Sequence, residues 1–441
     1  MRLLRAPLLF VLLAICHRDF LAPASAGDWP QYRGPMRNDI SEEADLLKTW
    51  PADGPRLLWT FDALGAGYAG PAVAGKRLYM LGDRGDDCFL IALDLPTAAD
   101  GKPREAWALR VGGKFDFEGN SWSSGPSATP TVDGDRIYAL GGNGDLLCAS
   151  VAGRELWRKS LPTELEAEVN PIGGGPKKLG WGFTWSPLVD GDRLICIPGG
   201  PKGTVAALDK LTGAVVWRST EATDQAAYTS PMLAEIDGVR QYVVLTNQGL
   251  LGVAAADGKL LWSHRRRWGT EVVNSPLVQG RKIFVTVGAG GGCELVEVKQ
   301  SAAAWEVVSL YSNKNMANHH ANIVLLGDKL YGNSQGSGWT VLGFETGEIV
   351  ASERKIPAGA ITFADGRLYL VSERDGATML LDPTKPTSDG PQPAMIAGRL
   401  KLPQASDLRK PKGGFWTPPV VSHGRLYLRD QNLLFCYDVA K

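Results

Sequence analysis

The chain is short of helix. Across 441 residues no apolar stretch recurs at three- and four-residue spacing for long enough to build an amphipathic helix, and only Glu164 to Val169 offers a turn or two. It also lacks net charge, with 47 Lys and Arg against 47 Asp and Glu. A chain so balanced has no overall field to gather a polyanion, so nucleic acid is not an expected partner. No segment beyond the first 26 residues is apolar for the length needed to cross a bilayer. Six cysteines are present, none spaced as Cys-x-x-Cys or as a haem-attachment motif, and none adjacent. Cys88, Cys148, Cys196, Cys293 and Cys436 fall in five different repeats, and they are expected to be buried, unpaired thiols acting as small hydrophobes.

What is abundant is turn and strand. The chain has 53 glycines and 28 prolines, yet 44% of its residues are hydrophobic, which fits turn-rich β structure and not disorder. A strand-turn-strand unit recurs eight times, turning at Gly75, Gly134, Gly191, Gly238, Gly280, Gly327, Gly366 and Gly424, with spacings of 39 to 59 residues. Four of these follow an aspartate, and Asp-Gly between two apolar runs is a strong hairpin signal. Runs such as Arg77-Leu78-Tyr79, Arg136-Ile137-Tyr138 and Arg425-Leu426-Tyr427 follow the turn and alternate as half-buried strands do. Units of this length hold four short strands, which cannot bury both faces alone and must stack. Trp59, Trp107, Trp157, Trp217 and Trp262 mark the outer ends of successive units, with Trp305 a displaced sixth.

The eighth unit stops at Cys436-Tyr437-Asp438 without a fourth strand, while Leu57-Leu58-Trp59-Thr60-Phe61 is a fourth-strand pattern with no unit of its own. Pairing the two closes the ring and removes the exposed sheet edge. The expected fold is therefore all-β: an eight-bladed propeller of four-stranded antiparallel blades, closed by an N-terminal strand, with residues 27–441 as a single domain.

Ala207-x-Asp209-x-x-Thr212-Gly213-x-x-x-Trp217 matches the full docking repeat of the quinoprotein propellers, and Gly153-x-x-x-Trp157, Gly258-x-x-x-Trp262 and Thr346-Gly347 keep parts of it. Asp28-Trp29-Pro30-Gln31-Tyr32-Arg33-Gly34-Pro35, Asn318-His319-His320 and Leu426-Tyr427-Leu428-Arg429-Asp430-Gln431 resemble secreted pyrroloquinoline quinone (PQQ)-like repeat proteins. The chain also looks like the scaffold propeller of the bacterial outer-membrane assembly machinery. The resemblance implies an indole packed between an alanine of its own blade and the glycine turn of the next. It leaves two roles open: a binding or scaffolding module of the cell envelope without cofactor, or a PQQ- and calcium-dependent dehydrogenase of an alcohol or sugar. Blade six has Gly343 for the aspartate and Ala351 for the tryptophan, and blade seven has no Trp, so that sector is expected to be looser.

Arg2 and Arg5, the apolar stretch Ala6 to Ile15, and Ala24-Ser25-Ala26 read as an export signal cleaved before Gly27. The mature protein is then expected in the periplasm or outside the cell, as a monomer. Leu13-Ala14-Ile15-Cys16 is a poor lipobox, because isoleucine stands where a small residue is needed.

Loops leading from the outer strand of one blade to the inner strand of the next should open on one face, around the channel mouth, where binding residues commonly sit. Those loops carry Trp122, Trp181, Trp185, Tyr228, Asn274, Asn318, His319, His320 and Trp416, with Arg265 of Arg265-Arg266-Arg267-Trp268 in a further rim loop. They are the candidate ligand-binding set, for a small molecule or a protein. His319 and His320, adjacent on an extended segment, should face opposite ways, so no metal site is assigned. Asp116, Glu118, Glu164, Glu166, Glu168, Glu221, Asp224 and Glu271 could serve calcium or act as a base, and none is singled out as catalytic. Two further stretches read as surface loops: the glycine run within Pro171 to Pro176, and Pro383 to Pro393.

Overall fold

The computed structural model describes residues 27–98, 101–171, 180–266, 268, 271–302, 304–320, 322–385 and 395–441. The export signal with Cys16, Arg267, residues 172–176 of the glycine run and residues 386–393 lie outside the described residues.

Eight sheets form the ring, each built on four antiparallel strands that follow chain order from the axis outward except in blade eight, with a fifth, parallel strand added in blade seven. Blade one is Ala72–Ala74, Arg77–Arg84, Asp87–Asp94 and Arg104–Gly113, and blade three is Leu188–Asp190, Arg193–Cys196, Ala206–Asp209 and Val215–Arg218. Blade eight contributes Val420–Ser422, Arg425–Asp430 and Leu433–Asp438, and its outer strand is Leu57–Phe61. Phe61 pairs with Leu434 and Trp59 with Cys436, so the first and last parts of the chain close the wheel as the sequence predicts. Among the described residues α-helix is limited to Leu161–Glu164, just ahead of the expected turn, where Pro162 suits the first helical turn and Leu161 is buried. The five described cysteines are buried and free of disulfides, and burial raises Cys148 to about 11 and Cys196 to about 12.

Every blade carries one row of three side chains across its second, third and outer strands, beside a bulge in the outer pairing. Five rows end in tryptophan: Tyr79–Ala92–Trp107, Tyr138–Cys148–Trp157, Ile195–Ala207–Trp217, Val243–Gly252–Trp262 and Tyr427–Cys436–Trp59. The middle residue is always small, because the indole lies over it; a Cβ on Gly252 would come 2.1 Å from the Trp262 ring. The ring then reaches the next blade. Trp157 donates its Nε1 proton to Lys210 O at 3.1 Å and covers Gly213, where a Cβ would meet it at 2.8 Å and φ is +73°. Gly213 is thus required twice over, for conformation and for room.

The other three rows differ. Blade five has Phe284–Leu295–Tyr311, so Tyr311 and not Trp305 holds the docking position; its ring covers Gly347 and its hydroxyl donates to Phe344 O at 2.9 Å. Blade six has Tyr331–Val341–Ala351, and blade seven Tyr369–Leu380–Gly398. Blade seven is not left without an indole. Trp50, from the N-terminal segment, lies over Gly398, where an added Cβ would sit 2.6 Å from the Trp50 Cβ. Its ring stands 5.9 Å from Tyr369, close to the 6.0 Å of Trp59 from Tyr427, and its backbone N–H donates to Ala397 O at 3.1 Å. At the blade six–seven seam a cavity of about 240 Å³ opens beside Ala351, and the blade eight–one seam holds one of about 430 Å³ beside Trp59.

The N-terminal segment also fills the axis. Gly27 O accepts from Ser422 Oγ at 2.5 Å in blade eight, and Trp29 exchanges both backbone bonds with Val73 in blade one at 2.8 Å. Val132 N donates to Pro30 O at 2.8 Å in blade two, and Arg37 reaches Ser186 O and Pro187 O at 3.1 Å at the entry to blade three. Arg33 donates to Ile323 O at 2.9 Å and pairs with Asp39, and Ile40–Ser41 then runs parallel to Phe363 and Ala364 of blade seven. Burial pulls Arg37 down to about 10, since backbone carbonyls and Gln31, not a carboxylate, surround its guanidinium. The segment enters and leaves beside the hairpin turns between first and second strands, and its apex, Tyr32, points towards the opposite, loop-rich face.

Candidate functional site

At the loop-rich face the plug turns the channel into a cup of about 200 Å³ with Tyr32 in its lining. Seven of the eight inter-blade loops supply its wall: Tyr68, Trp122, Trp181, Tyr228, Asn274, His320 and Trp416 come from successive seams. Residues 354–358, between blades six and seven, supply none of the lining. Rings meet in pairs, Tyr68 and Trp416 with centroids 5.2 Å apart, and Trp181 and Tyr228 likewise at 5.2 Å. Trp122 alone stands out at the lip, 46% exposed.

Two polar groups sit among the rings. His319 Nε2 lies 2.5 Å from a Glu271 carboxylate oxygen. The His319 and His320 rings are 3.6 Å apart and both line the cup. This corrects the expectation that they face opposite ways, for residues 315–320 form no strand and strand alternation does not apply. His320 also stacks 4.5 Å from Trp416, and burial, with the neighbouring His319, brings its pKa down to about 3, so it is neutral near pH 7. Burial raises Glu373, 4.0 Å from His320 Nδ1, with His319 opposing the rise.

Of the sequence-predicted set, Trp122, Trp181, Tyr228, Asn274, His319, His320 and Trp416 come together in the cup. Three do not reach it. Trp185 is fully buried in the core between blades, because it immediately precedes Ser186, whose N–H is bonded to Ser230. Asn318 is 1% exposed and works as a brace, accepting from Asn274 Nδ2 at 3.1 Å and donating to Asn333 O at 2.9 Å. Arg265 ends the outer strand of blade four and is held on Asp224 by two 2.8 Å bonds. Tyr32, Tyr68 and Glu271's pairing were not foreseen as a unit. Tyr32 lies in a segment whose place on the axis is set by distant contacts, whereas Tyr68 stands just ahead of the inner strand Ala72–Ala74, the same signal that marks the other lining aromatics.

PQQ, one of the two roles the resemblance leaves open, finds a poor fit among the described lining residues. An acidic quinone needs cationic donors for its carboxylates, and among the described residues no Arg or Lys lines the cup; Arg265 is taken by Asp224 and Arg266 by Glu294 at 2.8 Å. Calcium asks for several hard oxygen ligands, and Glu271, the one carboxylate among the described lining residues, is matched by His319. Among the described residues no group of three or more His, Cys, Asp or Glu is placed to hold a metal ion.

Comparison with known proteins agrees with the architecture. The family described as outer membrane protein assembly factor BamB matches residues 97–379. The chain belongs to this family. BamB from Moraxella catarrhalis is 16% identical, with a TM-score of 0.51 over 81% of this chain and 93% of that one. The quinohemoprotein alcohol dehydrogenase of Comamonas testosteroni is 10% identical, with a TM-score of 0.60 over 94% and 81%. The computationally designed protein Ika8 is 10% identical, with a TM-score of 0.56 over 87% and 100%. At such identities the structures share the fold alone with this BamB-family chain. No curated protein matches it. Among the described residues no helix is long and apolar enough to cross a membrane.

Proposed function

We propose that this protein is a non-catalytic binding module of the cell envelope, which takes a ligand or a side chain of a partner protein into the aromatic cup. One observation carries the reading: a ring of rigid blades converges seven loops and a plug on one concave, aromatic-lined space. The outer membrane assembly family supports an envelope setting and a protein-facing role. An export signal ending at Ala26 and a soluble, monomeric mature chain from Gly27 complete the proposal.

The competing reading is a PQQ- and calcium-dependent alcohol or sugar dehydrogenase. Its support is the Glu271–His319 pair, a carboxylate and an imidazole in contact inside the cup, which is a general acid–base arrangement. Titration of the purified protein with PQQ and calcium, followed by dye-linked oxidation of an alcohol and sugar panel, separates the two. The binding reading expects no saturation at micromolar PQQ and no turnover. Turnover that is lost in Glu271→Gln and kept in His423→Gln would establish the enzyme instead.

A further inference from the structure

The blade six–seven seam carries a second site, on the outer wall and away from the cup. It is a cavity of about 240 Å³ lined by Tyr331, Val341, Ala351 and Met395 and edged by Lys329, Lys385 and Val350. Its chemistry follows from comparing rows. Where the outer position is tryptophan, the middle residue is Ala, Cys or Gly; in blades six and seven the middle residue is Val341 or Leu380 and the outer one is Ala351 or Gly398. A bulky middle with a small outer residue has no room for its own indole but leaves the outer shelf bare. Blade seven shows what such a shelf takes: Trp50, brought from outside the blade on a segment whose N–H bonds the bulge carbonyl of Ala397. In blade six the corresponding bulge residue is Val350, which is 55% exposed, and Ile349 beside it is 46% exposed. Among the described lining residues two are lysines and none is acidic, with Asp382 next to Lys385 just outside the cavity.

We propose that this seam is a docking socket for a partner protein that inserts an aromatic side chain from an extended segment, flanked by acidic residues that meet Lys329 and Lys385. The anchor enters as Trp50 does in the next blade, with its backbone lying along the outer strand Ile349–Glu353. The proposal is independent of what the cup binds.

The test uses the mature protein and a fluorescein-labelled peptide, acetyl-Asp-Glu-Trp-Glu-Asp-amide, read by polarisation, with Ser replacing Trp in the control peptide. Saturable binding below about 1 mM is expected for the Trp peptide alone. Ala351→Trp, or the milder Ala351→Leu should the first fail to fold, weakens it by about tenfold or more. Val341→Ala deepens the socket and tightens binding, and Trp416→Ala in the cup leaves it unchanged. The proposal is overturned if neither wild type nor Val341→Ala binds. It is equally overturned if the Ala351 variants bind as wild type does, or if Trp416→Ala is the change that abolishes binding.

Discussion

Two arcs of the ring are held shut by different means. From blade eight round to blade four each row ends in its own tryptophan, a short-range device repeated in register. Blades five to seven have Tyr311, Ala351 and Gly398 at that place, and the molecule answers with a phenol, an open shelf and a borrowed indole. The lesson is that losing the repeat residue is not losing the contact. An indole burying 150–250 Å² is worth at most about 4–6 kcal/mol to a seam. Trp50 restores that to blade seven because the segment carrying it must already pass there to complete blade eight. The same segment touches blade six at Ile323, but none of its residues lines the cavity beside Ala351.

The equivalence of Trp50 and a repeat tryptophan is the part easiest to break. Trp50→Ala is expected to cost about 3–5 kcal/mol in urea unfolding, matching Trp157→Ala in the other arc. A cost below about 1 kcal/mol would show Trp50 to be an ornament of the surface. The cup face offers a contrast that titrates. The His320 pKa is about 3 in the folded protein against an ordinary value of 6.5, so the unfolded chain binds more protons in between. Stability is therefore complete above about pH 6.5 and is lost as pH falls towards 3, by about 3 kcal/mol at pH 4. His320→Gln should flatten that portion of the pH–stability curve, and an unchanged slope would refute the assignment.

Gly398 sharpens the comparison further. Gly398→Val puts a side chain where Trp50 lies and should cost about 1–3 kcal/mol. In the Trp50→Ala background the penalty should largely vanish, and additive costs would separate the two residues. The smallest effect belongs to the open seam. Ala351→Leu fills part of a cavity and should stabilise by about 0.5–1 kcal/mol, whereas the same class of change at a filled row destabilises.

Much of this was legible in the sequence because it is local and periodic. Asp-Gly turns, alternating strands and the spacing from Gly213 to Trp217 specify blades, and the missing fourth strand of the last unit pointed to Leu57–Phe61. What escaped was long-range. Trp50 docks on Gly398 across almost the whole chain, and no spacing announces it. Trp305 attracted the docking role through its residue type, yet a nine-residue outer strand places Tyr311 there instead. In the cup, aromatics ahead of inner strands were readable as a class. Which of them turn inward was not, because Trp185 and Asn318 are claimed by the core and by a bracing bond.

That the cup is the working surface is tested most directly by photo-crosslinking from position 122, with benzoylphenylalanine replacing the 46%-exposed Trp122 in the full chain expressed in living cells. The account expects one discrete adduct that disappears in Trp416→Ala and is absent when the crosslinker stands at Leu211, 53% exposed in a hairpin turn on the opposite face. Equal adducts from both positions, or none from the cup while PQQ binds with calcium, would contradict it.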